Sequence, residues 1–417
     1  MVMLFNVEKD VNIENLRKGS ACLVYSNYGW PIWRKAYIEP IIGHRPEFEC
    51  KLSVYRLACH NMELNPYSRL SQQSVEIKIS RHSKPFQVQL KWADRIHRKF
   101  VVCPSRLFAF DQWHLFITAM EIYRAHKVDL VQIYIQSVDP QIFKLIKMPI
   151  IDSLDFNPNS ETSWQNQLVN FQDCLYEYRE SADFIAFPDW DDFMFTRSYS
   201  IPYSSVLNKL AYKHPKYVGF IVDRYLGVHE SLEHNIVDFW HIGIQYSKRN
   251  KQFYYGKAIY IPNNGLFGVD LHWANRVEAD DYQQIRVPME DMYIIHARDY
   301  SKFPMNGYIH NVDYLEKNFN KFIEEYNLTE ILSNLPKKEE LVQQFNECLG
   351  FDSQNMKEIL KNIKSKCWNY HHCGITEVKN NCTNVKNQWE KIFMSGDELN
   401  VYMLINSEFL KESICSY

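Results

Sequence analysis

From about residue 98 the chain alternates short apolar runs with segments whose apolar residues recur every three to four positions, and this alternation limits the possible folds more than any other feature. Phe100-Val-Val-Cys103 is a buried-strand run. Trp113, Phe116, Ile117 and Met120 then share one helical face, with Asp111 placed to cap the first turn. Leu130 to Ile135 reads as a second strand, and Trp164, Leu168, Phe171, Leu175 and Tyr178 as a second amphipathic helix. Phe184-Ile-Ala-Phe187 is a third strand. Strand, helix, strand, helix, strand predicts a parallel sheet, because parallel neighbours need a crossover connection.

The flanking regions read differently. Val75, Ile77 and Ile79 alternate with Glu76, Lys78 and Ser80, and Phe86, Val88, Leu90 and Trp92 alternate with Gln87, Gln89 and Lys91. Both patterns predict half-buried strands, so residues 1–97 are expected to be β-rich. A further helix is predicted over about 313–326, with Leu315, Phe319, Phe322 and Ile323 on one face. The polar Lys337-Lys-Glu-Glu340 follows, and a boundary falls near 330. The chain thus divides into a β-rich region (1–97), an α/β domain (98–330) and a Cys-rich, helical C-terminal module (331–417). At 417 residues it is too long for one ordinary core. Lys+Arg 47 against Asp+Glu 50 leaves a formal charge of -3, which gives no bulk attraction to nucleic acid.

No apolar run approaches the roughly 20 residues that cross a bilayer. The N-terminus reaches Glu8, Lys9 and Asp10 too soon for a secretory leader. The expectation from these two facts is that the chain as written carries neither leader nor anchor. The cysteines point to an oxidising compartment. Five of the ten, Cys348, Cys367, Cys373, Cys382 and Cys415, fall in the last seventy residues, near the triplets Asn327-Leu-Thr and Asn381-Cys-Thr. These five are expected to supply disulfides that brace the tail. Cys367, His371, His372 and Cys373 fit no standard zinc spacing.

The strongest chemical signal is Phe184-Ile-Ala-Phe-Pro-Asp-Trp-Asp-Asp-Phe193. Asp189 and Asp191 follow directly on a buried strand, and in open α/β sheets ligands bind beyond the carboxyl ends of strands. Carboxylates at alternate positions can aim at one hard cation, Mn²⁺ or Mg²⁺. Such a cation bridges the phosphates of a nucleoside diphosphate and offsets charge on it as it leaves. An Asp-rich turn capping a helix would look the same in sequence. Gly256-Lys257, between Tyr254-Tyr255 and Ala258-Ile-Tyr-Ile261, offers a cation for a phosphate, or is a surface lysine in a hairpin. His296, at the end of an apolar run in Ile294-Ile-His-Ala-Arg298, offers a third metal ligand or is a core histidine. His272 and Arg298 carry the same two readings.

These residues, in this order, resemble glycosyltransferase family 92. The resemblance covers roughly residues 98–330 and rests on several pieces. They are Glu121-Ile-Tyr-Arg124, Asp173-Cys-Leu175, Ala182 to Asp192, Gly256-Lys257, Leu271-His-Trp273 and Ile295-His-Ala-Arg298. It implies a GT-A-type fold, a mixed α/β sheet with flanking helices. It also implies a UDP-sugar donor, UDP-galactose in the best-known branch, Mn²⁺ dependence, inversion, a glycan acceptor and a Golgi membrane setting facing the lumen. On the matching positions, Asp189 and Asp191 are the metal motif; His296, by its place at the strand end, is expected as the third ligand. Asp192 takes the catalytic position, where many members carry Glu. Arg124, Lys257 and Arg298 are expected to bind the donor. The chain departs from the family at Leu145 to Asp152, which lacks the usual Tyr- and Gly-bearing segment, and at Ala297, where a Tyr is more usual.

Two other readings compete with an active transferase. A catalytically weakened relative would keep the sugar or a protein partner as a ligand. A glycoside hydrolase would need two carboxyls about 5 to 9 Å apart across the scissile bond. Asp189 and Asp191 are too close in sequence to flank a sugar easily. For the general base, Asp223, Glu278, Asp280, Asp281, Glu290 and Asp291 all stay open.

Overall fold

The structure is a computed structural model. It describes residues 2–8, 13–25, 30–41, 52–59, 74–78, 84–89, 91–146, 167–199, 201–213, 215–229, 244–247, 256–270, 272–297, 308–336, 377–378, 380–393 and 400–416.

The first hundred residues are β-rich. Val2–Glu8, Leu52–Ala58 and Tyr37–Pro40 form one antiparallel sheet, and Pro31–Lys35, Ala21–Tyr25, Ser74–Lys78 and Phe86–Gln89 form another. Val75, Ile77 and Phe86 turn inward around the Cys22–Cys59 disulfide, as the two-residue alternation predicts. The second predicted strand is shorter than expected. Trp92 lies beyond it and is exposed, and Ile79 and Leu90 fall outside the described residues.

Arg56 joins this region to the next. Its guanidinium donates to the Phe267 carbonyl, to Tyr176 Oη at 2.6 Å and to Glu39 Oε2 at 2.5 Å. Tyr176 Oη also donates to the Phe267 carbonyl at 2.6 Å.

The central six-stranded sheet runs in the order Gln283–Arg286, Tyr217–Val222, Lys257–Tyr260, Ala182–Ala186, Arg98–Val102, Leu130–Val131. The last three strands are parallel, the pairing expected from the sequence. Lys257–Tyr260 enters antiparallel between Ala182–Ala186 and Tyr217–Val222, which makes the sheet mixed. Helices Trp113–Ala125 and Gln167–Tyr178 pack on it, the latter tied to the Arg98–Val102 edge by Cys103–Cys174. Phe171, Phe187 and Tyr260 fill one face; Phe100, Phe184 and Phe220 fill the other.

A second sheet orders Asp192–Thr196, Met292–Ala297, Arg224–His229, Ile244–Ser247 and Tyr308–His310. Every residue of Asp192–Thr196 is buried, and the strand reads as the apolar run Phe193-Met-Phe195 between two buried polar ends.

Several local expectations are corrected. Gln112, not Asp111, precedes the first central helix, and it makes no side-chain cap. Leu130 to Ile135 forms a strand only at Leu130–Val131; Ile135 instead bridges Leu107. The described part of 331–417 is mainly strand rather than helix. Cys382–Phe393 and Asn400–Glu412 pair as a long antiparallel hairpin, closed by Cys382–Cys415. Thr383 and Asn384 pair with Val138 and Ser137, and the Phe143 ring packs tilted against Phe409 at 4.9 Å, so the tail extends the α/β domain. Thr383-Asn-Val385 is too short and polar to signal a strand by itself; its long partner supplies the ladder. Cys348, Cys367, Cys373 and the two histidines at 371 and 372 lie outside the described residues. Among those described, no helix is long and apolar enough to cross a membrane.

Candidate active site

The carboxylates sit in the turn that carries the chain from one sheet to the other. Ala182–Ala186 ends at Phe187-Pro188, and a tight turn closes with Asp192 N donating to Asp189 O at 3.1 Å. Trp190 locks this turn into the core. Its Nε1 donates to Ser105 O at 2.7 Å and its ring packs on Phe116 at 5.1 Å. Asp189 and Asp191 therefore stay near the surface while Asp192 begins the buried second-sheet strand.

Register brings His296 to this point. Asp192 stands opposite His296 across the antiparallel pair Asp192–Thr196 and Met292–Ala297. His296 Nδ1 donates to Asp192 Oδ1 at 2.8 Å and lies 3.6 Å from Asp191 Oδ1. Ala297 N donates to Asp191 O at 2.7 Å, which holds that residue against the same strand. Ligand atoms of Asp191, Asp192 and His296 all fall within 4.8 Å of one another.

Lys257 enters from the central sheet. Its Nζ is 2.6 Å from Asp189 Oδ2 and 3.4 Å from Asp192 Oδ2. Gly256 makes this approach possible, since a Cβ there would meet Val222 O at 2.3 Å. Arg224 adds a second cation 3.9 Å from Asp192 Oδ1. Gln167 Nε2 donates to Asp189 Oδ1 at 3.2 Å.

Burial alone would raise the Asp192 pKa, but Lys257, His296 and Arg224 outweigh it and hold the carboxyl well below its usual range. Asp189 is also held low, burial again being overcome, chiefly by Lys257. Burial would depress Lys257, yet Asp189 and Asp192 keep its pKa above the ordinary value. His272, whose Nδ1 donates to Gly256 O at 2.7 Å, is pushed down to about 4, first by burial and then by Lys257. Three carboxyl groups thus meet Lys257, Arg224 and the His296 ring in one buried cluster.

The expected donor-binding residues separate. Lys257 lies inside the cluster. Arg124 pairs with Glu121 at 3.0 Å and covers the Phe322 ring at 4.5 Å, while burial lifts the Glu121 pKa to about 7. Arg298 lies outside the described residues. Of the general-base candidates, Asp223 pairs with Arg286 and Asp281 with Lys216, and Glu278, Asp280 and Glu290 are exposed. Asp291 O accepts from Arg197 N at 3.0 Å. Sequence reasoning missed Arg224 and Gln167. The inward turn of Arg224 follows from alternation: Asp223 faces out toward Arg286, so its neighbour faces in.

The sequence model of Glycosyltransferase family 92 matches residues 98–344. Glycosyltransferase family 92 protein F59C6.8 of Caenorhabditis elegans is 29% identical over 209 residues, which is 46% of this chain and 38% of that protein. Glycosyltransferase family 92 protein F13G3.3 of the same organism is 22% identical over 355 residues, 76% of this chain and 69% of that protein. The chain belongs to glycosyltransferase family 92. The chain spans less than two fifths of the length of the first of these relatives.

Proposed function

We propose that the protein transfers a hexose, galactose by family resemblance, from a UDP-sugar to a glycan acceptor with inversion at the anomeric carbon. The observation that carries this reading is the meeting of Asp191, Asp192 and His296 beyond a parallel strand's carboxyl end. A carboxylate from Asp191 and an imidazole from His296, the latter braced by Asp192, are donors of the kind that Mn²⁺ or Mg²⁺ takes. A divalent cation held there supplies a Lewis acid for the leaving diphosphate.

The chain's own groups have distinct tasks. Asp191 and His296 present their donor atoms to the cation. Asp192 is assigned to positioning, in place of the catalytic role expected from sequence, because it is fully buried and fixes the His296 ring. Asp189, expected as a ligand, is instead oriented by Lys257 and Gln167. Lys257 carries the positive charge that faces the donor phosphates. Arg124, committed to Glu121 and Phe322, is not given a donor role.

The test is calorimetric titration with Mn²⁺ and UDP together, alongside UDP release from UDP-sugars with and without chelator. Joint binding and chelator-sensitive turnover are expected. Turnover that ignores the chelator refutes the metal reading; joint binding without turnover on any donor favours a weakened relative. We further propose a Golgi lumenal setting, which the disulfides Cys22–Cys59, Cys103–Cys174 and Cys382–Cys415 support.

A further inference from the structure

The two Asn-x-Thr triplets have opposite surroundings. Asn327-Leu-Thr329 makes the turn between helices Asp313–Tyr326 and Thr329–Ser333. Asn327 closes the first helix in the left-handed region, at φ 51° and ψ 52°, with its N–H on Glu324 O at 3.4 Å. That conformation suits asparagine among residues with a side chain. Leu328 is buried and pins the turn to the core, while Asn327 and Thr329 on either side are exposed. Among the described residues, neither the Asn327 side-chain amide nor the Thr329 hydroxyl has a hydrogen-bond partner. Tyr326, 49% exposed, offers an aromatic face beside them.

Asn381-Cys382-Thr383 differs at the two positions that follow the asparagine. Cys382 is fully buried and bonded to Cys415. Thr383 is 1% exposed, in a strand flanked by Val138 on one side and Lys411 on the other. The hydroxyl that an acceptor triplet must present is sealed inside a sheet.

We propose that Asn327 is an N-glycan attachment site and that Asn381 is not. The proposal rests on the lumenal setting above. In the reaction Asn327 Nδ2 bonds to the anomeric carbon of an oligosaccharide and gives up one proton to a carboxylate base of the transferring enzyme. The bond from that carbon to the diphosphate of a polyprenyl carrier breaks, and the carrier diphosphate leaves with the bonding pair. No oxidation state changes. The helix–turn–helix tip can carry the added bulk because nothing described packs over Asn327.

The experiment uses the full chain behind a cleavable secretory leader, recovered from the medium of eukaryotic cells. Secretion itself shows that the protein met the glycosylating machinery, which separates failure here from failure of the lumenal reading for the natural protein. Peptide N-glycosidase in heavy-oxygen water converts an occupied Asn to labelled Asp, and mass spectrometry reads each triplet. Label at 327 and none at 381 is expected. Asn327→Gln and Thr329→Ala should both lose the glycosidase-sensitive mobility shift, and Thr329→Ser should keep it. Secreted protein without label at 327, or with label at 381, overturns the proposal.

Discussion

Lys257 places its ammonium 2.6 Å from the Asp189 carboxylate, and the same nitrogen lies 3.4 Å from Asp192. One buried cation therefore compensates two carboxylates drawn from the turn between the sheets. Removing it by Lys257→Met leaves both anions short of charge in a poorly hydrated site. Breaking a buried pair from one side costs about 3–5 kcal/mol. Urea unfolding at neutral pH should show a loss of that order, and Asp189→Asn in the same chain should recover part of it. A loss below about 1 kcal/mol would mean that the pair is solvent-screened.

Asp191 and Asp192 are adjacent in sequence yet differ in surroundings, so their variants should separate. Asp191 keeps some exposure at the mouth of the cluster, while Asp192 keeps none. Asp191→Asn should weaken Mn²⁺ binding and lower sugar transfer about 10²–10³-fold, as for loss of one positioned electrostatic stabiliser. Its unfolding midpoint should hardly move. Asp192→Asn should lower both turnover and stability, since Lys257, Arg224 and His296 all lose a partner charge. Paired kinetics and thermal melts decide; equal melting of the two variants would remove the distinction between ligand and positioning residue.

What the sequence revealed of this site was what hydrophobic period can reveal. The runs Phe100–Cys103 and Phe184–Phe187 marked strands, and the strand end marked Asp189 and Asp191. His296 was legible for the same reason, at the end of an apolar run. The grouping was not. Which aspartate pairs with His296 depends on antiparallel register across 104 positions, and register leaves no trace in a single strand's alternation. Asp189 joins Lys257 rather than His296 because the turn points it toward the central sheet. The tail hairpin was half hidden: its first strand is rich in Lys, Asn and Glu and depends on long-range pairing and Cys382–Cys415, whereas Val401-Tyr-Met-Leu-Ile405 in its partner is a strand signal of its own.

Arg56 binds the β-rich region to the catalytic domain through the Phe267 carbonyl and Tyr176. Arg56→Met removes these bonds and leaves the Phe267 carbonyl with only the Tyr176 hydroxyl. The expected outcome is faster proteolytic cleavage between the two regions, with a stability loss of about 2–3 kcal/mol. Limited proteolysis followed by mass mapping checks it. Cleavage at the wild-type rate would show that apolar packing alone holds the two together.

Acid should unfold this protein in two stages. His126, His272 and His310 are each pushed down to about 4, in every case mainly by burial. His126 is stacked on Tyr203 at 4.5 Å and donates Nδ1–H to Ile201 O at 2.9 Å, so its neutral form is the one the fold accepts. An unfolded histidine titrates near 6.5. Between about pH 6.5 and 4 the unfolded chain therefore binds more protons than the folded one, and stability falls as pH falls. Each such histidine contributes up to about 3 kcal/mol to that fall, at 1.36 kcal/mol per pKa unit. Asp189 and Asp192 act in a lower window. Their folded pKa values lie below the ordinary one, so their stabilisation holds above about pH 4 and is lost only below it. Unfolding free energies measured from pH 7 to pH 3 should show the histidine slope first. Glu121, raised to about 7, is protonated in the folded state first and offsets one histidine in this window, so His126→Gln should flatten the slope between about pH 6.5 and 4.5 by about half, leaving the lower stage in place. An unchanged upper slope would mean that His126 takes up its proton in the folded state without penalty.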